Sequence, residues 1–330
     1  MELGTRVADI ELEHPIMNAA GPRCKTEEEI EVLARTPVAA VMVGSITWDA
    51  RPGNQGDVYF SQSGHFSLNS LGLPNGGRTY YTEHLPTMAR LAHQSGKTLW
   101  VSVAGFTPKD YVRLVLLAVR GGADVVEINL GCPNVWDEGK QKSIASFDPI
   151  LTEEILARIE REITSDTPCL FAVKMSPYLN NLLPPHEKLR VSPYSTDPLL
   201  LEKMAKVIAQ SKLIRVITSA NTVPNAFAVR DDGTPAIQSP DVQNGVGGLA
   251  GSIVKQMGLA QVRRLVKLLP SYVDVIGVGG INSGQDVANY LEAGAKAVQI
   301  ATAFADRGPE VFYQILTEFV SVKEKEAVAS

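Results

Sequence analysis

The stretch Val125-Val-Glu-Ile-Asn129-Leu-Gly-Cys132-Pro-Asn134 settles what kind of fold this chain has. It opens as a short run with strand character and then breaks into polar residues, glycine and proline. A buried strand that delivers asparagine and cysteine into a loop is the way an α/β fold presents a site. The same unit recurs on either side. Strand candidates are Val38–Val43, Leu99–Ala104, Val125–Asn129, Leu170–Lys174, Ile214–Thr218, Val275–Gly277 and Ala297–Ile300. Helical patterns lie between them at Thr26–Arg35, Pro108–Arg120, Thr152–Ile163, Pro198–Gln210, Gly258–Leu269 and Gly284–Ala293. This alternation predicts a parallel sheet, which a short further strand near Gly247–Ala250 closes into a (β/α)8 TIM barrel. An open doubly wound sheet is the alternative. Arg6–Asn18 alternates weakly about a turn at His14-Pro15 and reads as an N-terminal β-hairpin covering the barrel bottom.

Two stretches depart from the repeat. Arg51–Pro86, rich in glycine, asparagine and serine, reads as a long loop over the C-terminal face, and Leu179–Thr196 as a proline-rich surface insertion. Loops of this length in a compact domain are functional or disordered. No linker or low-complexity tract divides the chain, so residues 1–330 are read as a single domain.

Composition narrows the class. The 330 residues are 45% hydrophobic and 20% charged, enough for one large core. A net charge of -5 and no Lys/Arg run exclude a nucleic-acid binder, because nothing neutralises phosphates. Cys24, Cys132 and Cys169 are odd in number and widely spaced, fitting neither a disulfide framework nor a metal site. Met1 runs directly into Glu2, Arg6, Asp9 and Glu11, unlike a secretory leader. No apolar run reaches the roughly 18 residues that span a bilayer. The expectation is a soluble, cytoplasmic protein with no membrane partner.

Chemistry is expected where the strands end. Asn129 and Asn134, Lys174, and Ser219-Ala-Asn221-Thr222 follow three strands, and the long loop carries Asn69-Ser-Leu-Gly72-Leu-Pro-Asn75. Asn69, Asn129, Asn134, Asn221 and Lys174 therefore converge on one rim. An amide offers both a donor and an acceptor, which suits a flat heterocycle with alternating C=O and N–H edges. The competing reading is that these asparagines cap turns and helices. Cys132, between Gly131 and Pro133, belongs on a loop, where a thiol with a pKa of about 8.5 can exchange a proton. Cys169 and Cys24 read as inert apolar residues. Ile276-Gly-Val-Gly279-Gly280 and Gln299-Ile-Ala301-Thr302 follow the last two strands, where phosphate is commonly bound by backbone N–H groups. Gly247-Gly248 adds further close-approach backbone, with tight turns as the plain alternative. Such loops also suit a flavin-free enzyme of sugar phosphates or a binding protein.

Taken together these motifs resemble the dihydroorotate dehydrogenases across nearly the whole chain. The landmarks are Asn18-Ala-Ala-Gly21, Asn69-Ser-Leu-Gly-Leu-Pro-Asn75, Ser102-Val-Ala-Gly105, Asn129-Leu-Gly-Cys-Pro-Asn134 and Val173-Lys-Met-Ser-Pro-Tyr178, followed by Ala220-Asn-Thr222, Gly247-Gly248, Gly277-Val-Gly-Gly280 and Gln299-Ile-Ala-Thr302. A cysteine in the catalytic loop resembles the soluble class one enzymes; the membrane-associated, quinone-using class carries serine there. Tyr178 and the overall length are similar to the homodimeric, fumarate-using subgroup. The resemblance implies an FMN-dependent oxidoreductase acting on a CH–CH group, oxidising dihydroorotate to orotate in pyrimidine synthesis. It implies FMN contacts from Ala20, Gly21, Ser45, Asn129, Lys174, Asn221, Gly248, Gly279, Gly280, Ala301 and Thr302. It implies pyrimidine contacts from Asn69, Leu71, Gly72, Leu73, Asn129, Asn134, Asn221 and Thr222. Cys132 would take the C5 proton while C6 delivers hydride to flavin N5, and Lys174 would stabilise the reduced ring. The polar segment Trp136–Phe147 resembles a lid.

One departure bears on the substrate. Soluble class one enzymes usually carry a lysine where this chain reads Val41-Met-Val-Gly44-Ser45, so Gly44 stands in its place. The wording there is closer to the membrane-associated class, in which a lysine of the first βα loop does comparable work. Lys25 or Arg23 could reach in from that direction. If neither does, a substrate carboxylate lacks its partner, and an uncharged relative such as dihydrouracil, or a non-pyrimidine compound, becomes the alternative.

Overall fold

Eight short runs of buried residues form one parallel sheet: β1 Ile16–Asn18, β2 Ala40–Ile46, β3 Thr98–Val103, β4 Val125–Asn129, β5 Leu170–Met175, β6 Ile214–Ser219, β7 Asp274–Val278 and β8 Ala297–Ile300. The computed structural model describes residues 3–137, 140–164, 166–178, 197 and 199–329, so the insertion expected at Leu179–Thr196 lies outside the described residues. Strand order is β1-β8-β7-β6-β5-β4-β3-β2. The two ends of that order meet without a ladder. Ala39 N–H donates to Ile16 O at 2.9 Å, and the buried Asn18 amide brackets Met42, accepting from its N–H and donating to its carbonyl, each at 2.9 Å. One side chain thus supplies the pair of bonds a ladder would have made, and the barrel closes.

The helices follow in turn: α1 Glu27–Arg35, α2 Gly77–Gln94, α3 Pro108–Arg120, α4 Pro149–Glu162, α5 Leu200–Gln210, α6 Lys255–Leu268, α7 Gly284–Glu292, the short α8 Thr302–Arg307, and α9 Glu310–Ala329. Local chemistry fixes their starts. Thr26 with Glu29 and Thr107 with Asp110 form reciprocal capping boxes, and Pro108 and Pro149 occupy first-turn positions that need no N–H partner. Among the described residues, no helix is long and apolar enough to cross a membrane.

Three expectations need correction. The hairpin is Thr5–Val7 with Ile10–Leu12, turning at Ala8, whose φ is 51°, and not at His14-Pro15. Ile16–Asn18, assigned above to that hairpin, is the first barrel strand; all three of its residues are buried, so it shows no alternation to reveal it. Gly247–Ala250 is not a barrel strand. It sits in a four-stranded antiparallel sheet with Val223–Ala226, Phe66–Asn69 and Tyr59–Gln62. The glycines serve close approach there, since a Cβ on Gly247 would lie 2.9 Å from Asn69 O. Arg51–Pro86 is no plain loop either: it holds two strands of that sheet and the first half of α2. Tyr81, Leu85, Met88, Ala89 and Ala92 give α2 a buried stripe at helical spacing, and Pro86 is accommodated on its exposed face.

Alternation along the strands divides the interior. One set of residues packs between sheet and helices. The other points into the barrel, where Met17, Ala40, Met42, Trp100, Val125, Ala172, Val216, Ile276 and Ala297 form a separate cluster with Val7 and Leu12 of the hairpin. The hairpin therefore plugs the barrel's lower end, as expected. One step further along the same strands the inward positions turn polar.

Candidate active site

Two cavities open where the strands end, of about 1080 and 1250 Å³ including their mouths. They meet along Ala20, Lys174, Asn221, Thr222, Ala250, Ala301 and Thr302. The antiparallel sheet walls them from above. It is fastened to α8, because Tyr59 Oη and Ser61 Oγ both donate to the Asp306 carboxylate at 2.7 Å, and Ser67 Oγ lies 3.1 Å from Thr302 Oγ1.

The four asparagines are brought together as the sequence implied. Asn129 at the end of β4 donates to Ser45 Oγ at 2.9 Å and accepts from Asn221 Nδ2 at 3.2 Å and from Gly131 N–H at 3.1 Å. Ser45 in turn contacts Ser102 Oγ at 2.8 Å. Across the cavity, Asn134 Nδ2 donates to Asn69 Oδ1 at 2.7 Å, and Asn69 Nδ2 to Gly248 O at 3.3 Å. The turn-capping reading describes a different residue, Asn75, which accepts from Thr47 N–H and Gly77 N–H at the start of α2.

Of the residues singled out from the sequence, Ala20, Gly21, Ser45, Asn69, Leu71, Gly72, Leu73, Asn129, Cys132, Asn134, Lys174, Asn221, Thr222, Gly279, Gly280, Ala301 and Thr302 all line one cavity or both. Gly248 does not. It stands behind the wall, and a Cβ there would come 2.1 Å from Thr222 Oγ1 and 2.9 Å from Asn134 Nδ2. Its role is to let those two side chains approach. Sequence reading missed the hairpin tip Gln62–His65, together with Asn282 and Arg307, all of which line the smaller cavity. They carry no motif and arrive from distant parts of the chain.

Cys132 is free and half-buried on the loop after β4, facing the larger cavity. Burial pushes its thiol up; the Asn134 backbone N–H and the charges of Lys142, Lys174 and Arg51 pull the other way. Lys142 lies 4.6 Å over the Phe106 ring and donates to Gly105 O, and burial brings its ammonium down to about 8. Arg51 stacks on the same ring at 4.9 Å. Cys24 is fully buried, with its thiol up at about 11, and Cys169 stands just before β5 with its thiol up at about 12, chiefly through burial. Both fit the inert reading.

Gly44 has a specific backbone reason. Its φ is 104°, and a Cβ would meet Ser102 O at 2.6 Å and Ile46 N at 2.8 Å. No side chain of any kind fits without moving the strand. Cations come instead from the loop after β1, where Arg23 and Lys25 both line the larger cavity. The Lys25 backbone is pinned: its N–H donates to Glu29 Oε2 at 2.6 Å, and Tyr81 Oη donates to its carbonyl at 3.1 Å.

The smaller cavity suits a phosphate-bearing group. Gly279 and Gly280 at the end of β7 have φ of 116° and 71°, and a Cβ on Gly280 would sit 2.7 Å from Lys255 Cβ. Lys174, Asn221 and Thr222 line both this cavity and the one that Cys132 faces. Fold and site together define a (β/α)8 barrel with a glycine-lined cavity that adjoins a second cavity lined by amides, cations and a thiol. Comparison with known proteins agrees. The family model described as dihydroorotate dehydrogenase matches residues 2–322. Dihydroorotate dehydrogenase A (fumarate) of Lactococcus lactis subsp. lactis is 29% identical over 330 residues, covering 99% of this chain and 96% of that protein. Dihydroorotate dehydrogenase (fumarate) of Saccharomyces paradoxus is 31% identical over 329 residues, covering 99% and 95%. The crystal structure of the Eimeria tenella enzyme in complex with ferulenol superposes with a TM-score of 0.75 at 21% identity, covering 98% of this chain and 85% of that one, and supports the fold. This chain belongs to the dihydroorotate dehydrogenase family. As a member of that family it is an FMN-dependent oxidoreductase acting on a CH–CH group.

Proposed function

We propose that Cys132 is the base that removes the C5 proton of dihydroorotate, and that the cavity it faces is the pyrimidine site. FMN, when bound, supplies the acceptor for the C6 hydride at its N5. Gly21, Ser45, Asn129, Lys174, Gly279, Gly280, Ala301 and Thr302 would hold that cofactor, with its phosphate at the two glycines. Asn69, Asn134, Asn221 and Thr222 would grip the amide edges of the substrate, and Leu71, Gly72 and Leu73 would close the side. Lys25, assisted by Arg23, takes the place of the lysine that Gly44 excludes and meets the carboxylate, so an anionic pyrimidine keeps a partner. Trp136–Phe147 would cover the site during turnover; Trp136–Asp137 pairs with Lys140–Gln141, and residues 138–139 lie outside the described part. Fumarate is the proposed acceptor, and the enzyme is proposed to act as a cytoplasmic homodimer.

The observation that carries this reading is the meeting of Cys132, four amides and three cations on one cavity that is continuous with a glycine cradle. Anaerobic titration tests it. Dihydroorotate should bleach the flavin of the holoenzyme, and Lys25→Met should raise the concentration required. Flavin bleached by dihydrouracil but indifferent to dihydroorotate would transfer the assignment to an uncharged substrate.

A further inference from the structure

Lys174 does not stand alone. Below it, on the neighbouring strand β4, lies Glu127, fully buried in the barrel lumen. Glu127 Oε1 is 4.0 Å from Lys174 Nζ. Its other oxygen accepts from Thr218 Oγ1 at 2.7 Å and from Gln299 Nε2 at 3.1 Å. Among the described residues nothing hydrogen-bonds to Oε1, the oxygen that faces the ammonium. A carboxylate that far from water is retained only against an opposite charge. Thr218 and Gln299 fix its rotamer through the far oxygen and leave the near one to act on Lys174 by charge alone. Strand pairing explains the geometry: Ala172 sits opposite Glu127 and Lys174 opposite Asn129, so the ammonium is one inward position above the carboxylate.

We propose that Glu127 is a positioning residue which holds Lys174 at the rim and partly offsets its charge, thereby setting how oxidising the bound flavin is. The proposal rests on the flavin assignment above. A cation beside the ring favours the reduced, more negative form, and a fixed anion behind that cation weakens the preference. Glu127→Gln keeps the shape and both hydrogen bonds to the far oxygen while removing the charge. Lys174 then acts uncompensated, and the midpoint potential of bound FMN should rise.

The test is dye-equilibrated potentiometry on holoenzyme in four forms: unchanged, Glu127→Gln, Lys174→Met, and both together. Lys174→Met alone should lower the potential, which reports on the flavin assignment; no change there would overturn that assignment, and with it this proposal. Glu127→Gln should raise the potential in the unchanged background and do little in the Lys174→Met background, where the cation through which Glu127 acts is gone. A fall, no change, or an equal rise in both backgrounds would overturn the role given to Glu127. Glu127→Asp, which keeps the charge, should retain a potential close to that of the unchanged enzyme; if it matched Glu127→Gln, shape and not charge would be at work.

Discussion

The two ends of the barrel are built from the same eight strands, yet they follow opposite rules. At the lower end Trp100, Val125, Val216 and Ile276 fill the lumen with apolar volume, and Val7 and Leu12 of the hairpin seal it. Trp100 is fully buried and spends its single donor on Thr98 Oγ1 at 3.0 Å. Two to four residues further along their strands, Ser45, Ser102, Glu127, Asn129, Lys174 and Gln299 crowd the upper end, all nearly as buried. There, Glu127 Oε1 and Gln299 Oε1 lack hydrogen-bond partners among the described residues. Apolar filling stabilises a fold outright, whereas polar groups buried at this density cost stability wherever a hydrogen bond is left unmade. The contrast separates residues that hold the barrel from residues that use it.

Substitutions at each end should therefore move different measurements. The largest expected effect is at the top. Cys132→Ala removes the proposed base and should slow flavin reduction by about 10²–10⁴-fold, the usual weight of a positioned proton acceptor. Because Cys132 is half-buried on a loop, the unfolding midpoint should stay put. Stopped-flow reduction under anaerobic conditions reads the first quantity and thermal unfolding the second; unchanged reduction would remove Cys132 from the mechanism. At the bottom, Trp100→Ala should cost about 3–5 kcal/mol of stability through the cavity it leaves. FMN affinity of the folded fraction should change little. If the same variant lost FMN without losing stability, the division of the barrel into two ends would be wrong.

What could be read in advance follows the same division. Strand ends rich in asparagine are legible because polar residues closing an apolar run have few structural uses. The residues behind them are not. Glu127 hides inside Val125–Asn129, a strand whose other residues give the expected pattern, and only the barrel's curvature reveals that it faces Lys174. Three-residue β1 shows no periodicity because both its faces are covered. Helix α2 was obscured by glycines at its start and Pro86 inside it, although its buried stripe keeps helical spacing. Gly44 was visible as a departure, but not its cause: the close approach of Ser102 O belongs to the neighbouring strand. Restoring lysine at that position would disturb β2, so Lys25→Met is the cleaner probe of the carboxylate partner.

The smallest expected effect concerns the thiol and its neighbour. Burial raises the Cys132 thiol and lowers the Lys142 ammonium to about 8, and each charge favours the other. Below about pH 8 Lys142 is protonated and helps the thiolate form; above it that help fades, so flavin reduction should climb with pH less steeply than a lone thiol would require. Lys142→Met keeps the aliphatic stem over Phe106 and deletes the charge. Alkylation of Cys132 by iodoacetamide, followed against pH, should then move to higher pH by less than about one pH unit, because Lys174 and Arg51 continue to pull the thiol down. The pH profile of flavin reduction should move in the same direction. A Cys132 titration that ignores the substitution would leave Lys142 as a cover for the loop, with its contact to Gly105 O as its whole contribution.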